Sequence, residues 1–434
     1  MKQVTPAKTA PNATTRRARW RALLVPVATG ETTTLFLVLA ATVIVLLLLG
    51  LLMTFSASFV TSALDGDAFG IFRRQLMWCL LGIPLTVGVA LRDYRTWRPY
   101  VRAMVAVSLG LAVIVVVPGI GREVAGARRW LGVEPLVFQP AELLKLAVPL
   151  FCADVLARNW GRLRAGDMHA LLVPVVPLLA VVAVLVMMEP DLETAALLVA
   201  IGIAILYVAG LPTRWLVTGA LAGAGLVGVG IASAEFRMGR LTAWLDPTSS
   251  AAEFGYQTLQ GYYALGSGGW FGTGLGAGRG KWLFLPNAHT DFIFAIIGEE
   301  LGLLGVLLVL MLYMVIAVVG IRIAAHAPDS FGRLLATGLV AAILLQAGIN
   351  MGSVVGLLPV TGVTLPFVSF GGTSLVITMV SAGLLLSIAR QTRPPAARSG
   401  TRVSGRSPAR STSSPRTRDR SARTPHHNSE GALR

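Results

Sequence analysis

Cysteine is almost missing from the 434 residues: Cys79 and Cys152 are the whole supply, and both fall inside apolar stretches. That excludes a disulfide framework and a cysteine-based metal site, and leaves the two thiols as core residues. Charge is scarce as well. Asp, Glu, Lys and Arg together make up 13% of the chain against 54% hydrophobic residues, and the mean hydropathy is +0.70. A soluble chain of this length cannot hide that much apolar surface from water, so the composition points to a polytopic membrane protein. Acids are rarer than bases, 21 against 37, and the net charge of +16 would suggest a nucleic-acid partner until it is located. Between Arg393 and Arg434, ten arginines face only Asp419 and Glu430, so that stretch alone carries +8. No nucleic-acid partner is expected.

What the chain has in abundance is apolar runs long enough to cross about 30 Å of hydrocarbon. Ten are predicted, near 34–54, 75–91, 100–118, 140–157, 170–188, 192–210, 214–233, 291–321, 333–355 and 371–389. The expected fold is therefore all-α, a core of about ten transmembrane helices over 34–390. The first run exceeds the apolar core of a cleaved signal peptide and is read as a retained span. Residues 1–33 form a basic leader. Residues 391–434 are Arg, Ser, Thr and Pro with almost no large apolar side chains, too little to fold on. Their arginines suit anionic lipid head groups or an acidic cytoplasmic partner.

Basic clusters alternate between loops as the positive-inside rule requires: before span one, at Arg92, Arg95 and Arg98, at Arg158, Arg162 and Arg164, at Arg214, at Arg322 with Arg333, and in the tail. Both termini are thus expected in the cytoplasm. The opposite loops hold Asp65, Asp67, Glu189, Asp191 and Glu193. Arg73, Arg74, Arg122, Arg128, Arg129 and Lys145 break the rule on the outer side, and together they read as an anion-binding surface or as interfacial snorkelling. The longest loop, 234–290, lies outside between spans seven and eight and should be ordered. Its Gly266–Gly276 stretch mimics a dinucleotide fingerprint, but no strand precedes it, so tight turns or re-entrant backbone are expected. Gly219, Gly223, Gly225, Gly228 and Gly230 in span seven predict close helix packing.

Several clusters could carry chemistry. Pro140 suits the first turn of span four, where Glu142 and Lys145 stand three residues apart and can neutralise each other, either to let the helix insert or to line an outward-facing cavity. Arg128, Arg129 and Trp130 combine guanidinium groups with an indole, suited to phosphate and sugar, although Arg and Trp also serve as ordinary membrane anchors. Glu189-Pro190-Asp191 breaks the chain between spans five and six, and Asp191 could bind a divalent cation, pair with Lys145 or be solvated. Asp291, at the mouth of a long apolar helix and close to His289, is the candidate general base, since partial desolvation should raise its pKa. Glu299 and Glu300 lie about 12 Å deeper at 1.5 Å per residue and are read as helix contacts. The uncharged stretch from Gly356 through Ser369, Thr373 and Ser374 is broken by Pro and Gly at membrane depth, which implies backbone lining a cavity or buried in protein.

Four motifs in order carry a family resemblance: Gly126-Ala127-Arg128-Arg129-Trp130-Leu131 with Phe138 through Leu146, Glu189-Pro190-Asp191-Leu192, the run around Asp291, and Gly356 through Ser374. Over about 34–390 the chain resembles the SEDS proteins (shape, elongation, division, sporulation) of bacterial cell-wall synthesis. The stretches Arg240 to Pro247, Gly255-Tyr256-Gln257 and Pro286 to His289 are similar to the division branch in actinobacteria, whereas Pro359-Val360-Thr361-Gly362 is nearer the elongation branch. The resemblance implies a peptidoglycan glycosyltransferase that polymerises lipid II at the outer face of the cytoplasmic membrane, at the division septum, beside a class B penicillin-binding protein and other divisome proteins. Asp291 would be the base. Arg128, Arg129, Trp130, Glu142, Lys145, Asp191, Arg240, Gln257, His289, Thr290, Ser369, Thr373 and Ser374 would face substrate. No organic cofactor is implied; a divalent cation, Mg2+ or Mn2+, could help hold the pyrophosphate. The chain departs from the family pattern at Glu193-Thr194 after Glu-Pro-Asp-Leu and at Phe370 for a common Tyr. A lipid II flippase, a non-catalytic scaffold, or an elongation or sporulation paralogue are the alternatives.

Overall fold

The computed structural model describes residues 30–392 except 65, 125–126, 134–135 and 233–234. The basic leader through residue 29, Asp65, Gly126 and the arginine-rich tail from 393 lie outside the described residues.

Fourteen helices and one small sheet account for the described chain in order: α1 (Gly30–Leu64), α2 (Gly70–Leu91), a 3-10 segment (Tyr94–Tyr100), α3 (Val101–Val116), strands β1 (Arg122–Val124), β2 (Ala127–Val133) and β3 (Leu136–Phe138), α4 (Pro140–Arg158), α5 (Trp160–Arg164), α6 (Met168–Leu172), α7 (Val176–Met188), α8 (Leu192–Ala209), α9 (Thr213–Ala232), α10 (Glu235–Leu245), α11 (Phe254–Ser267), α12 (Ile293–Ala325), α13 (Ser330–Val354) and α14 (Thr373–Gln391). A π turn, Gly280–Phe284, precedes α12. Among the described residues nine helical stretches are long and apolar enough to cross a membrane, so the chain is a polytopic membrane protein. The tenth expected span is α4. Its 19 residues reach about 28 Å at 1.5 Å each, but Glu142, Lys145 and Asp154 give it the charge of a helix enclosed by others.

Local chemistry sets the helix ends. Asp191 accepts from the Thr194 amide at 3.1 Å to cap α8, and Asp329 accepts from the Gly332 amide at 2.7 Å to cap α13. Pro140 opens α4, and Gly210 in the left-handed region closes α8 ahead of Pro212. The bundle is built around α13, which packs against α12, α4 and α8, while α14 lies along α2 and α1.

One feature was not expected and one expectation needs correction. The connection from span three to span four is an antiparallel three-stranded sheet, ordered β1-β2-β3 with Arg122 opposite Trp130 and Leu131 opposite Phe138. The glycines of span seven do not mediate close packing either. A Cβ added at Gly219, Gly223, Gly225 or Gly228 would meet nothing within 4 Å, and at Gly230 it would make only ordinary contact with Leu192 at 3.4 Å and Met187 at 3.8 Å. Glycine allows close approach only where a second helix is present; α9 meets α8 and α10 and presents Trp215, Val217, Leu221 and Val229 outward. The close approach occurs in α1 instead, where a Cβ on Gly50 would stand 2.4 Å from the Phe367 carbonyl oxygen.

The long loop is ordered, as expected. Trp244 of α10 donates to the Gly356 carbonyl at 2.8 Å, and Gly261 of α11 lies against the Phe292 ring. Gly269, Gly272, Gly274 and Gly276 all have positive φ, so the glycine-rich stretch is a series of tight turns. These turns insert at a break in α12, where Gly302 has φ 69° and ψ −165°. The amides of Thr273 and Gly274 donate to the carbonyls of Glu299 and Glu300, and those of Leu303 and Leu304 donate to Gly269 and Trp270. The four bonds satisfy backbone groups that the break would otherwise leave bare.

Candidate active site

One end of the bundle opens into a cavity of about 570 Å³. Its walls come from the sheet and from α2, α4, α8, α10 and α13, together with the turn before α12 and the loop before α14. Five cations (Arg74, Arg122, Arg129, Lys145 and Arg240) and three carboxylates (Glu142, Asp191 and Asp291) line it. The surplus of positive charge suits a polyanionic group larger than a single carboxylate.

Strand β2 sends its two adjacent arginines to different sides. Successive residues of a strand point to opposite faces, so Arg128 turns out and pairs with Glu123 at 3.2 Å while Arg129 turns in. Arg129 donates to the carbonyls of Glu189 at 3.0 Å and Pro190 at 2.5 Å, and lies 3.7 Å from Asp191. Asp191 also accepts from Gln139 at 3.0 Å. Its cation partner is therefore Arg129, and of the alternatives left open the pairing with Lys145 is not formed, since Lys145 pairs with Glu142. Behind this hook, Glu189 is fully buried and neither carboxylate oxygen has a hydrogen-bond partner among the described residues. Burial and, next, the Asp191 charge push its pKa up to about 8, against the opposing pull of Arg129.

Lys145 pairs with Glu142 at 2.6 Å, the contact expected from their spacing, and also donates to Gln346 of α13 at 2.9 Å. Gln346 in turn donates to the Thr364 carbonyl at 2.9 Å. A chain of polar contacts thus links α4 through α13 to the uncharged loop before α14. Neither Gln346 nor Asn350 was among the expected site residues. The available signal was two amides four residues apart in an otherwise apolar span, where they share a face.

Asp291 occupies the turn before α12 and lines the cavity. Thr290 donates to its Oδ1 at 2.6 Å, and burial pushes its carboxyl above the ordinary 3.8, outweighing that bond and the nearby Arg240. Asn350 holds the turn from behind, donating to the carbonyls of Asp291 at 2.8 Å and Val363 at 2.7 Å. Ser369 donates to the Thr290 carbonyl at 2.5 Å and accepts from the Leu365 amide, and the Phe370 amide donates to the His289 carbonyl at 3.0 Å. Three ties therefore bind the loop to the turn. Gly362, with positive φ, lets the loop backbone pass beside the carboxylate, its would-be Cβ 3.8 Å from Oδ2.

Of the residues expected to face substrate, Arg129, Trp130, Glu142, Lys145, Asp191, Arg240, Thr290 and Ser374 line the cavity with Asp291. Five stand elsewhere. Arg128 faces out, Gln257 donates to the Pro286 carbonyl at 3.2 Å, and Ser369 is a buried tie. Thr373 accepts from the Gln139 amide at 3.3 Å. His289 packs on the Phe370 ring with 5.8 Å between centroids, and burial, followed by Arg74, pushes its pKa down to about 4. Glu299 and Glu300 are buried, but where helix contacts were expected they mainly hold the π-turn segment, with only Ser56 of α1 reached on another helix. Glu299 accepts from the amides of Arg279 at 2.6 Å and Gly280 at 3.1 Å, while Glu300 pairs with Lys281 at 2.9 Å.

Known proteins share the sequence and the fold. Residues 36–394 match the FtsW/RodA/SpoVE model, described as cell cycle protein. The chain is 39% identical to stage V sporulation protein E of Bacillus subtilis over 82% of its own length and 97% of the relative's. It is 40% identical to the probable peptidoglycan glycosyltransferase FtsW of Mycobacterium tuberculosis over 83% and 69% of the two chains. Among solved structures, it superposes on a chain of a peptidoglycan synthase complex with a TM-score of 0.65 at 28% identity, covering 82% of this chain and 97% of that one. For the rod shape determining protein RodA of Thermus thermophilus the TM-score is 0.57 at 28% identity, with the same coverage. The cation-lined cavity, the carboxylate at the head of α12 and the loop tied to it thus sit in a chain that belongs to the FtsW/RodA/SpoVE family of cell cycle proteins.

Proposed function

We propose that the cavity polymerises glycan strands of peptidoglycan from lipid II, with Asp291 as the general base. The observation that carries this reading is a half-buried carboxylate, held from behind by Asn350, at the wall of a cavity with five cations. Asp291 removes the proton from the 4-hydroxyl of the acceptor's terminal GlcNAc as that oxygen attacks the anomeric carbon of the donor's MurNAc. The carbon's bond to the phosphate oxygen breaks, configuration inverts to a β-1,4 link, and undecaprenyl pyrophosphate departs with the bonding electrons. The raised pKa of Asp291 brings it closer to what a base for a hydroxyl needs. The leaving pyrophosphate needs no proton if cations stabilise its charge, and Arg129, Lys145, Arg74, Arg122 and Arg240 are placed to do so. Trp130, Thr290 and Ser374 supply stacking and hydroxyl contacts for the sugars.

Among the described residues no three His, Cys, Asp or Glu side chains converge as metal ligands; a Mg2+ or Mn2+ on the pyrophosphate would rest on one or two of the lining carboxylates, and no step of this reading is routed through it. The active site faces outside the cytoplasmic membrane with both termini inside, at the septum, and a class B penicillin-binding protein receives the product for crosslinking. A flippase would need polar groups through the whole depth. At the far end of the bundle, Arg95, Arg98, Asp154 and Asp329 are instead paired with one another.

The test is polymerisation of lipid II by the purified protein with its matching penicillin-binding protein, resolved as glycan strands on a gel. Polymer from wild type and none from a folded Asp291→Ala variant is the expected result. Equal polymer from both would remove Asp291 from the mechanism, and transbilayer movement of lipid II without polymer would favour the flippase.

A further inference from the structure

At the end of the bundle opposite the active-site cavity, a second cavity of about 580 Å³ opens between α8, α12 and α13. Its depth can be followed along one face of α13. Arg333 lies in the first turn, Thr337 four residues on and Ala341 four more, so the groove runs about 12 Å inward from the cation at 1.5 Å per residue. Val208 of α8 and Gly320 and Ala324 of α12 form the other walls, each within the last turns of its helix. The one hydroxyl in the groove is turned back on its own helix, Thr337 donating to the Arg333 carbonyl at 2.9 Å, so beyond the cation the groove is apolar.

Arg333 itself has no acidic partner among the described residues. The acid in the same corner, Asp329, is occupied by Tyr94 at 3.1 Å, Arg95 at 2.5 Å and the Gly332 amide. Arg322 and His326, on the last turn of α12 and just past it, add no negative charge. An arginine at a helix end needs no explanation as a snorkelling residue. An exposed, unneutralised arginine at the mouth of an apolar groove within the membrane is a different arrangement, with a cation for an anionic head group and a channel for a hydrocarbon chain.

We infer that this groove is a binding site for an anionic phospholipid, the phosphate on Arg333 and one acyl chain lying between α8, α12 and α13 toward Ala341. The site is independent of the chemistry assigned to the active-site cavity. It would tie the ends of three helices, two of which, α8 and α13, also contribute walls to that cavity.

The experiment places the full-length protein in phosphatidylcholine nanodiscs containing a trace of phosphatidylglycerol with a photoactivatable acyl chain. Wild type should label the α12 segment around Gly320–Ala324 and the α13 segment around Thr337–Ala341. Unlabelled phosphatidylglycerol should compete about fivefold better than phosphatidylcholine, the equivalent of about 1 kcal/mol for one arginine near the surface. Arg333→Gln should abolish that preference, and Ala341→Phe should reduce labelling by filling the groove, with glycan polymerisation retained in both as the check on folding. The inference is overturned by equal competition from the two lipids in wild type, by labelling elsewhere, or by an undiminished preference in Arg333→Gln. Loss of labelling on adding the penicillin-binding protein would assign the groove to a partner's membrane helix and overturn it as well.

Discussion

Removing the charge of Lys281 should destabilise the protein more than most single substitutions in a membrane helix bundle, and removing the charge of Glu300 as well should restore part of the loss. The side chains of Lys281 and Glu300 are 6% and 0% exposed, with Nζ and Oε1 2.9 Å apart. Ser56 of α1 donates to both carboxylate oxygens at 2.8 and 2.7 Å, and the Gly276 amide donates at 3.1 Å. The carboxylate therefore has donors on three sides and one compensating cation. In Lys281→Met those neutral donors remain while the charge loses its partner, and breaking a buried pair in this way costs about 3–5 kcal/mol. Glu300→Gln leaves Lys281 as the uncompensated charge and should cost a similar amount.

In the double variant neither charge remains, and the side-chain amide oxygen introduced by Glu300→Gln can still accept from Ser56 and Gly276. Its loss should be smaller than that of Lys281→Met alone, with a coupling of about 1–3 kcal/mol, at the upper end of what adjacent residues show. The assay is equilibrium unfolding of each variant in mixed micelles titrated with a denaturing detergent, followed by tryptophan fluorescence. Strict additivity of the two single losses would refute the reasoning, because it would mean that the two charges do not compensate each other.

Asp291→Asn keeps the shape of the turn but cannot accept a proton; polymerisation from lipid II should fall by about 10²–10⁴-fold. With Asp291 as the proposed base, activity requires its ionised form, so the acid limb of kcat/KM against pH should lie above the ordinary carboxylate value of 3.8, a displacement set by burial. Asn350→Ala removes the support behind Asp291, and a misplacement of 1 Å can cost about 10²-fold; a lipid II titration should place that loss in kcat rather than KM. Glu189 gives a stability prediction with a definite sign. Its folded pKa of about 8 exceeds its ordinary 4.5, so folding takes up a proton between these values, and the associated stability is complete below about 4.5 and lost as pH rises through 8. Glu189→Gln should lack that decline, and parallel unfolding midpoints for the two proteins from pH 5 to 8 would count against a neutral buried acid. Arg129→Lys, which cannot span two carbonyls and Asp191 as the guanidinium does, should weaken polymerisation about tenfold or more in the same gel assay.

The features legible from sequence were those encoded by nearest neighbours. Apolar runs marked the spans, the spacing of Glu142 and Lys145 announced their pair, and turn-forming glycines marked the segment after Gly266. Positions decided by distant partners were not legible. Arg128 and Arg129 look equivalent as neighbours, and only the strand around them sends one out to Glu123 and the other into the cavity. The strands themselves are three to seven residues long, too short for a period of two to stand out. Span seven shows the opposite failure, since its glycines carry a local signal for close packing and nothing lies within 4 Å of a Cβ placed at Gly219, Gly223, Gly225 or Gly228.

The break at Gly302 explains why so much charge can be placed in α12. A continuous apolar helix would leave Glu299 and Glu300 in hydrocarbon, at a cost of several kcal/mol each. Interrupting the helix there lets the glycine turns of 268–276 and the π-turn segment come alongside: the Arg279 and Gly280 amides reach Glu299, Lys281 and the Gly276 amide reach Glu300, and Ser56 of α1 completes the set around Glu300. The same contacts hold the first half of α12 against α1 and the long loop. Asp291 stands at the start of that half-helix, with Asn350 and the 361–372 loop holding it from the other side. The acids at 299 and 300 are therefore structural ties that fix the half-helix headed by Asp291, the proposed base, to its surroundings. This accounts for carboxylates that lie too deep to share a reacting atom with Asp291 and yet are not free to become apolar.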